Sequence, residues 1–184
     1  MATSASVMIS WFMITASLVR AQDFPERQPE LGVYQDESEC FPFQGTLYEV
    51  YRNFEEDKYY GGKAKCVRGS QSGDGKDGSY PVMIEFGDGG VMNTTFTLAS
   101  SPGYNVSNVM KVTPAENPSE AFNLTAAYRS CTECKVLRHS YIDGGKGCSY
   151  WATEIALKQK NTCCEFVYAL LCGTAKYQVY EEGC

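Results

Sequence analysis

Only one histidine, His139, occurs in the 184 residues. Any centre that needs two imidazoles is therefore excluded. Cations are scarce: 16 Lys and Arg stand against 22 Asp and Glu, giving a net charge of -6. That balance argues against nucleic acid or an anionic membrane surface as partner, since both select basic patches. There is no Walker loop, no G-x-G-x-x-G and no G-x-S-x-G elbow, so nucleotide binding and serine hydrolysis lack their usual carriers. Asp74 and Asp77 lie in a glycine-rich stretch without the spacing of a calcium loop. Residues 7–19 form the only long apolar run, and it is too short to span a bilayer comfortably.

Cysteine and aromatic residues are plentiful instead. Nine cysteines point to an oxidising compartment, and 13 Tyr with 9 Phe argue against disorder. The apolar run is followed by Val19-Arg20-Ala21, with small residues three and one before a cut. Residues 1–21 therefore read as a secretory signal peptide. Its loss removes one cation, Arg20, and takes the net charge from -6 to -7. Three N-x-S/T sequons follow, at Asn93, Asn105 and Asn123. In a secreted chain they predict glycosylated surface positions.

Residues 22–39 are polar and aperiodic and read as an irregular arm. Beyond them, short apolar runs alternate with turn residues. Strands are expected over residues 47–52, 59–67, 80–86, 91–98, 106–112, 122–128, 135–141 and 148–155, with a last short one at 177–180. Residues 69–79 read as a flexible loop, and Asp143-Gly144-Gly145-Lys146-Gly147 as a hairpin turn. About eight strands joined by turns predict an all-β antiparallel sandwich or barrel. One segment differs. Thr162-Cys163-Cys164-Glu165 fits a capping box, Phe166 and Leu170 share a face, and Gly173 follows. A helix over residues 163–172 is expected, packed on the β structure.

Nine cysteines leave at least one unpaired within the chain, and spacing alone does not choose the pairs. Cys163 and Cys164 diverge on a helix, so each should bridge to a different strand. Cys131-x-x-Cys134 has no second such pair and no histidine pair beside it, so disulfides are expected there rather than zinc. Carboxylates Glu181 and Glu182 are terminal, and His139 would be the sole base for a serine nucleophile on a strand without an elbow. A binding protein is thus favoured over an enzyme. A barrel could enclose one small ligand, with Val82, Ile84, Phe86, Phe96, Leu137 and Trp151 as lining candidates. The same alternation also describes a filled core.

The segments Cys134-Lys135-Val136-Leu137-Arg138-His139 and Gly147-Cys148-Ser149-Tyr150-Trp151, with Cys163-Cys164, Cys172-Gly173 and Cys184, resemble the tick salivary lipocalins of the histamine-binding protein family. Tyr80-Pro81-Val82-Met83-Ile84-Glu85-Phe86 and Thr95-Phe96-Thr97-Leu98 are similar to its leukotriene-binding, complement-inhibiting branch. The resemblance covers residues 40–184. It implies an eight-stranded antiparallel lipocalin barrel with a C-terminal α-helix on its wall. It also implies the pairs Cys40–Cys163, Cys66–Cys184 and Cys134–Cys164, with Cys148–Cys172 as a fourth. Cys131 would then be a free thiol or an intermolecular link.

The family's amine binders carry acids that pair a ligand ammonium once it leaves water. At the matching positions this chain has Lys135 and Ser149. The resemblance therefore implies a secreted scavenger of a small host mediator, apolar or fatty-acid-derived rather than a biogenic amine. Lys135 or His139 would hold its carboxylate, with Ser149 and Trp151 facing the same space. Amine scavenging, with a cage rebuilt around Glu49 or Glu85, and loop-mediated binding of a host plasma protein of complement or haemostasis are the alternatives. No cofactor or metal is implied.

Overall fold

The computed structural model describes residues 24–159 and 162–184. The expected signal peptide, residues 1–21, lies outside the described residues, and the side chain of the expected cap Thr162 is not described either. Alternating burial organises the chain into β1 (Thr46–Arg52), β2 (Arg68–Gln71), β3 (Ser79–Phe86), β4 (Gly90–Ala99) and β5 (Val109–Pro114). These are followed by β6 (Phe122–Ser130), β7 (Cys134–His139) and β8 (Gly147–Thr153). All pair antiparallel in sequence order, and β1 bonds to both β2 and β8, which closes the barrel and leaves no open edge among these eight. A two-residue β9 (Tyr177–Gln178) extends the far end of β1.

Two apolar layers result. Side chains such as Val82, Ile84, Phe96, Met110, Leu124 and Leu137 point into the barrel. The other face of β7 and β8, including Val136, Tyr150 and Ala152, is covered by α1 (Glu154–Leu157) and α2 (Thr162–Cys172). That double burial explains why β7 is buried at all six positions.

The expected helix is present, but the face it buries differs. Phe166 and Leu170 are exposed, whereas Cys164 and Tyr168 meet the wall. Cys134–Cys164 and Cys148–Cys172 tie that side of α2 to β7 and β8, and the Tyr168 hydroxyl donates to the Ala175 carbonyl. The fixed points select the buried stripe over the more apolar pair.

A second correction concerns residues 59–67, expected as a strand. They form turns, and β2 starts only at Arg68 and runs on into the stretch expected as a loop. Gly61 and Gly62 both have positive φ, and a Cβ on Gly61 would lie 2.5 Å from the Phe86 ring. The Asp57 carboxylate accepts from the Tyr59 and Tyr60 amides and fixes the turn.

The disulfides also depart from the expected set. Cys66–Cys184, Cys134–Cys164 and Cys148–Cys172 are formed. Cys40, however, joins Cys131, and Cys163 is the free, exposed cysteine. The pair Cys40–Cys163 is thereby replaced, and Cys131 is not unpaired. The reason is geometric: with Cys164 on the wall, Cys163 points to solvent, about 100° around the helix. The C-x-x-C is divided between two disulfides.

Finally, the arm is not irregular throughout. It carries two 3-10 turns, Pro29–Tyr34 and Glu37–Glu39, and it buries Phe24, Glu26, Gln35 and Glu37. Glu26 pairs with Arg138 on β7, and the Gln35 amide donates to the Glu26 and Ala127 carbonyls.

Candidate functional site

The barrel interior has three levels. At the arm end, Phe41 and Phe43 stack at 4.3 Å, and Tyr80 lies 4.7 Å from Phe41. Lys135 reaches into this level from β7, its ammonium 5.3 and 4.9 Å from the Phe41 and Phe43 ring centres. It is 2 % exposed and ion-paired with Glu37, itself fully buried. The family resemblance implied a cation here that would hold a ligand carboxylate. The structure shows that cation already holding a carboxylate from the arm.

The middle level is apolar. Leu47, Ile84, Phe96, Met110, Leu124 and Leu137 surround a void with Phe43, Tyr60, Gly69, Trp151 and Lys135. The void is small, about 20 Å³, room for about one water. Of the residues expected from sequence, Ile84, Phe96, Lys135, Leu137 and Trp151 line it. Val82 is buried in the surrounding core, and Phe86 is half-buried, its ring against Gly61 and Gly90.

The closed end is polar. A bulge between Glu49 and Tyr51 shifts the register of β1 against β8. Strict alternation would send Arg52 outward; the bulge turns Tyr51 onto Tyr168 and brings Arg52 inside with Glu49. Arg52 donates to the carbonyls of Gly62 at 2.7 Å and Glu55 at 3.1 Å. Its other nitrogen faces Glu49 at 3.4 Å and Asp57 at 4.0 Å. Burial pushes the Glu49 carboxyl up to about 8, against the lowering pull of Arg52. Burial also raises Asp57.

His139 and Ser149 belong to this end. Trp151 Nε1 donates to Ser149 Oγ at 2.8 Å, and Ser149 Oγ lies 2.6 Å from His139 Nε2. His139 Nδ1 is 2.8 Å from the Tyr141 hydroxyl, which donates to Asp57 at 2.8 Å. One proton order satisfies every member: Ser149 donates to Nε2, and Nδ1–H donates to Tyr141. The histidine is neutral in that order. Burial, then the Arg52 charge, lowers its pKa to about 3, so it is not a cation for a ligand carboxylate at neutral pH. A serine donating to a neutral histidine resembles a nucleophile with its base. Both groups are fully buried in the closed end, where they brace the barrel.

Several contributors had no expectation from sequence. Met110 and Leu124 follow the same alternation as their neighbours and could have been named. Tyr60 sits in a turn, and Glu37 in a polar arm without periodicity; neither carries a local signal of burial.

The sequence matches the family described as tick histamine binding protein over residues 25–184. This chain belongs to that family. Its fold agrees with Japanin from Rhipicephalus appendiculatus, solved bound to cholesterol. The two share 13% identity at a TM-score of 0.53, over 76% of this chain and 95% of Japanin. Lobster apocrustacyanin A1 aligns at 15% identity and a TM-score of 0.45, over 79% of this chain and 83% of its own. No curated protein matches. The family and the closed barrel with its C-terminal helix make this a lipocalin of the ligand-binding type. Four disulfides accord with an extracellular protein.

Proposed function

We propose that this lipocalin is secreted and sequesters one small apolar host mediator in its barrel, by stoichiometric removal rather than turnover. The observation that carries the reading is the middle level: an apolar wall whose one charged group, Lys135, is already neutralised. A fatty-acid-derived or sterol-like molecule suits such a wall, and Japanin's cholesterol is a precedent for a sterol in this fold. A biogenic amine suits it less. The acids that could meet an ammonium, Glu49 and Asp57, already face the guanidinium of Arg52. Asn93, Asn105 and Asn123 are all exposed, which supports their use as glycan sites.

The interior is nearly full, so uptake requires side chains to turn aside, and the Phe41–Phe43–Tyr80 stack at the arm end is the natural gate. Native mass spectrometry of the recombinant protein, with titrations of leukotrienes, cholesterol, histamine and serotonin, tests the reading. One equivalent of an apolar ligand is expected to bind. Tight histamine binding without any lipid binding would overturn it. The filled interior also favours a second reading, in which the loops bind a host plasma protein of complement or haemostasis. Specific capture from plasma by a protein that takes up no small molecule would establish that alternative.

A further inference from the structure

Lys135 is the one charge on the wall of the void, and a buried ammonium needs a partner. Glu37 is delivered to it by an arm held on both sides. Upstream, the Gln35 side chain donates to the carbonyls of Glu26 and Ala127 at 2.7 and 3.3 Å. At the residue itself, the Glu37 amide donates to the Ser107 carbonyl at 2.8 Å. Downstream, Cys40 is bonded to Cys131. So tethered, the carboxylate meets Lys135 at a high effective concentration, and a free acid must compete with it.

The pair is incompletely satisfied. Glu37 Oε2 takes the Lys135 ammonium, while Oε1 is buried with no hydrogen-bond partner among the described residues. The ammonium has three protons, and among the described residues Glu37 Oε2 is its one hydrogen-bond acceptor. A ligand hydroxyl would complete both sides, accepting from Lys135 and donating to Oε1. An ionised carboxylate can only accept. It would leave Oε1 unpaired and place a second anion beside Glu37 in a buried interior, where like charges repel strongly.

We propose that Glu37 is a built-in counter-ion that reserves the barrel for uncharged apolar alcohols and rejects ligands with an acidic head. This rests on the reading of the barrel as an apolar ligand site, narrows it to sterol-like or fatty-acid-derived molecules without a free acid, and makes Glu37 the residue that sets specificity within that site.

Decanol and decanoate, matched in chain and differing in head, are the probes. Binding of each to the intact protein is measured by calorimetry and by native mass spectrometry, with decane as a headless control. The wild-type protein is expected to bind decanol at least about tenfold more tightly than decanoate, the value of one charge-assisted hydrogen bond. Glu37→Gln frees the ammonium from its anion and is expected to shift the ratio about tenfold or more towards decanoate. The double variant Glu37→Gln with Lys135→Met removes both charges and is expected to bind decanol and decane while still rejecting decanoate. It also guards against misfolding of the single variant. Equal wild-type affinity for acid and alcohol, or a ratio unmoved by Glu37→Gln while decane still binds, overturns the role of Glu37 alone. Failure of decanol, decanoate and decane alike to bind the wild type overturns the apolar-ligand reading and this inference with it.

Discussion

Replacing Cys40 and Cys131 together with serine separates the observed disulfide set from the one the family resemblance implied. The bond spans 91 residues of sequence. Loop-closure entropy for that span gives about 15 cal/mol/K, or about 4.6 kcal/mol at room temperature. Disulfides usually deliver roughly 2–4 kcal/mol of such a figure, so a loss of that size is expected from a total stability of about 5–15 kcal/mol. Cys163→Ser removes an exposed thiol that forms no disulfide, and is expected to change stability by less than about 0.5 kcal/mol. Urea unfolding midpoints compare the variants. Thiol labelling of the unfolded, unreduced protein, followed by peptide mapping, then locates the free cysteine at Cys163. If Cys163→Ser is the costly change and the labelled peptide contains Cys131, the pairing argued here is wrong.

The pH dependence of stability follows from two buried groups of opposite sense. Glu49 titrates at about 8 when folded against an ordinary 4.5, so the folded state holds an extra proton between those values and stability falls as pH rises through them. His139 titrates at about 3 against 6.5, so the unfolded state binds the extra proton and stability falls as pH drops from 6.5 towards 3. The two slopes oppose between about 4.5 and 6.5, giving a plateau there; thermal unfolding that keeps gaining stability from pH 6.5 to 8 would refute the assignment, and Glu49→Gln should abolish the alkaline loss. Arg52→Met leaves Asp57 without its cation and the Gly62 and Glu55 carbonyls without their donor, and should cost about 3–5 kcal/mol in urea unfolding. Phe96→Ala enlarges the void at the expense of about 3–5 kcal/mol. It should let apolar dyes in, read through the fluorescence of the buried Trp151; unchanged dye binding would show that the interior does not open there.

Much of this fold follows from period-two alternation and turn residues. Residues 80–86 and 91–98 pair as the expected hairpin, and the run at 134–139 faces 147–153 across the expected turn. These signals are local: a strand half-buried on each face must alternate, and a chain that reverses within a few residues needs glycine, asparagine or aspartate there. The failures are those of local signals as well. Residues 59–67 look like a strand, yet they turn at Gly61 and Gly62, where the Phe86 ring from β3 leaves no room for a Cβ and the neighbouring Asp57 carboxylate holds the Tyr59 and Tyr60 amides.

The candidate site divides the same way. Sequence by itself determined that Lys135, Leu137 and His139 share one face of their strand, because side chains alternate along it; the family resemblance turned that face inward. Only the tertiary structure decided what those residues are worth as ligand contacts. His139 is neutral because burial, and then the charge of Arg52, disfavours its cation, while Tyr141 and Ser149 take up both ring nitrogens. Lys135 is neutralised because Glu37, 98 residues away in sequence, is folded onto it. Arg52 is inside because one bulge breaks the alternation of β1. Each outcome depends on a distant group arriving at a few ångströms, and the free energy of a buried charge is set by that neighbour rather than by the residue that carries it.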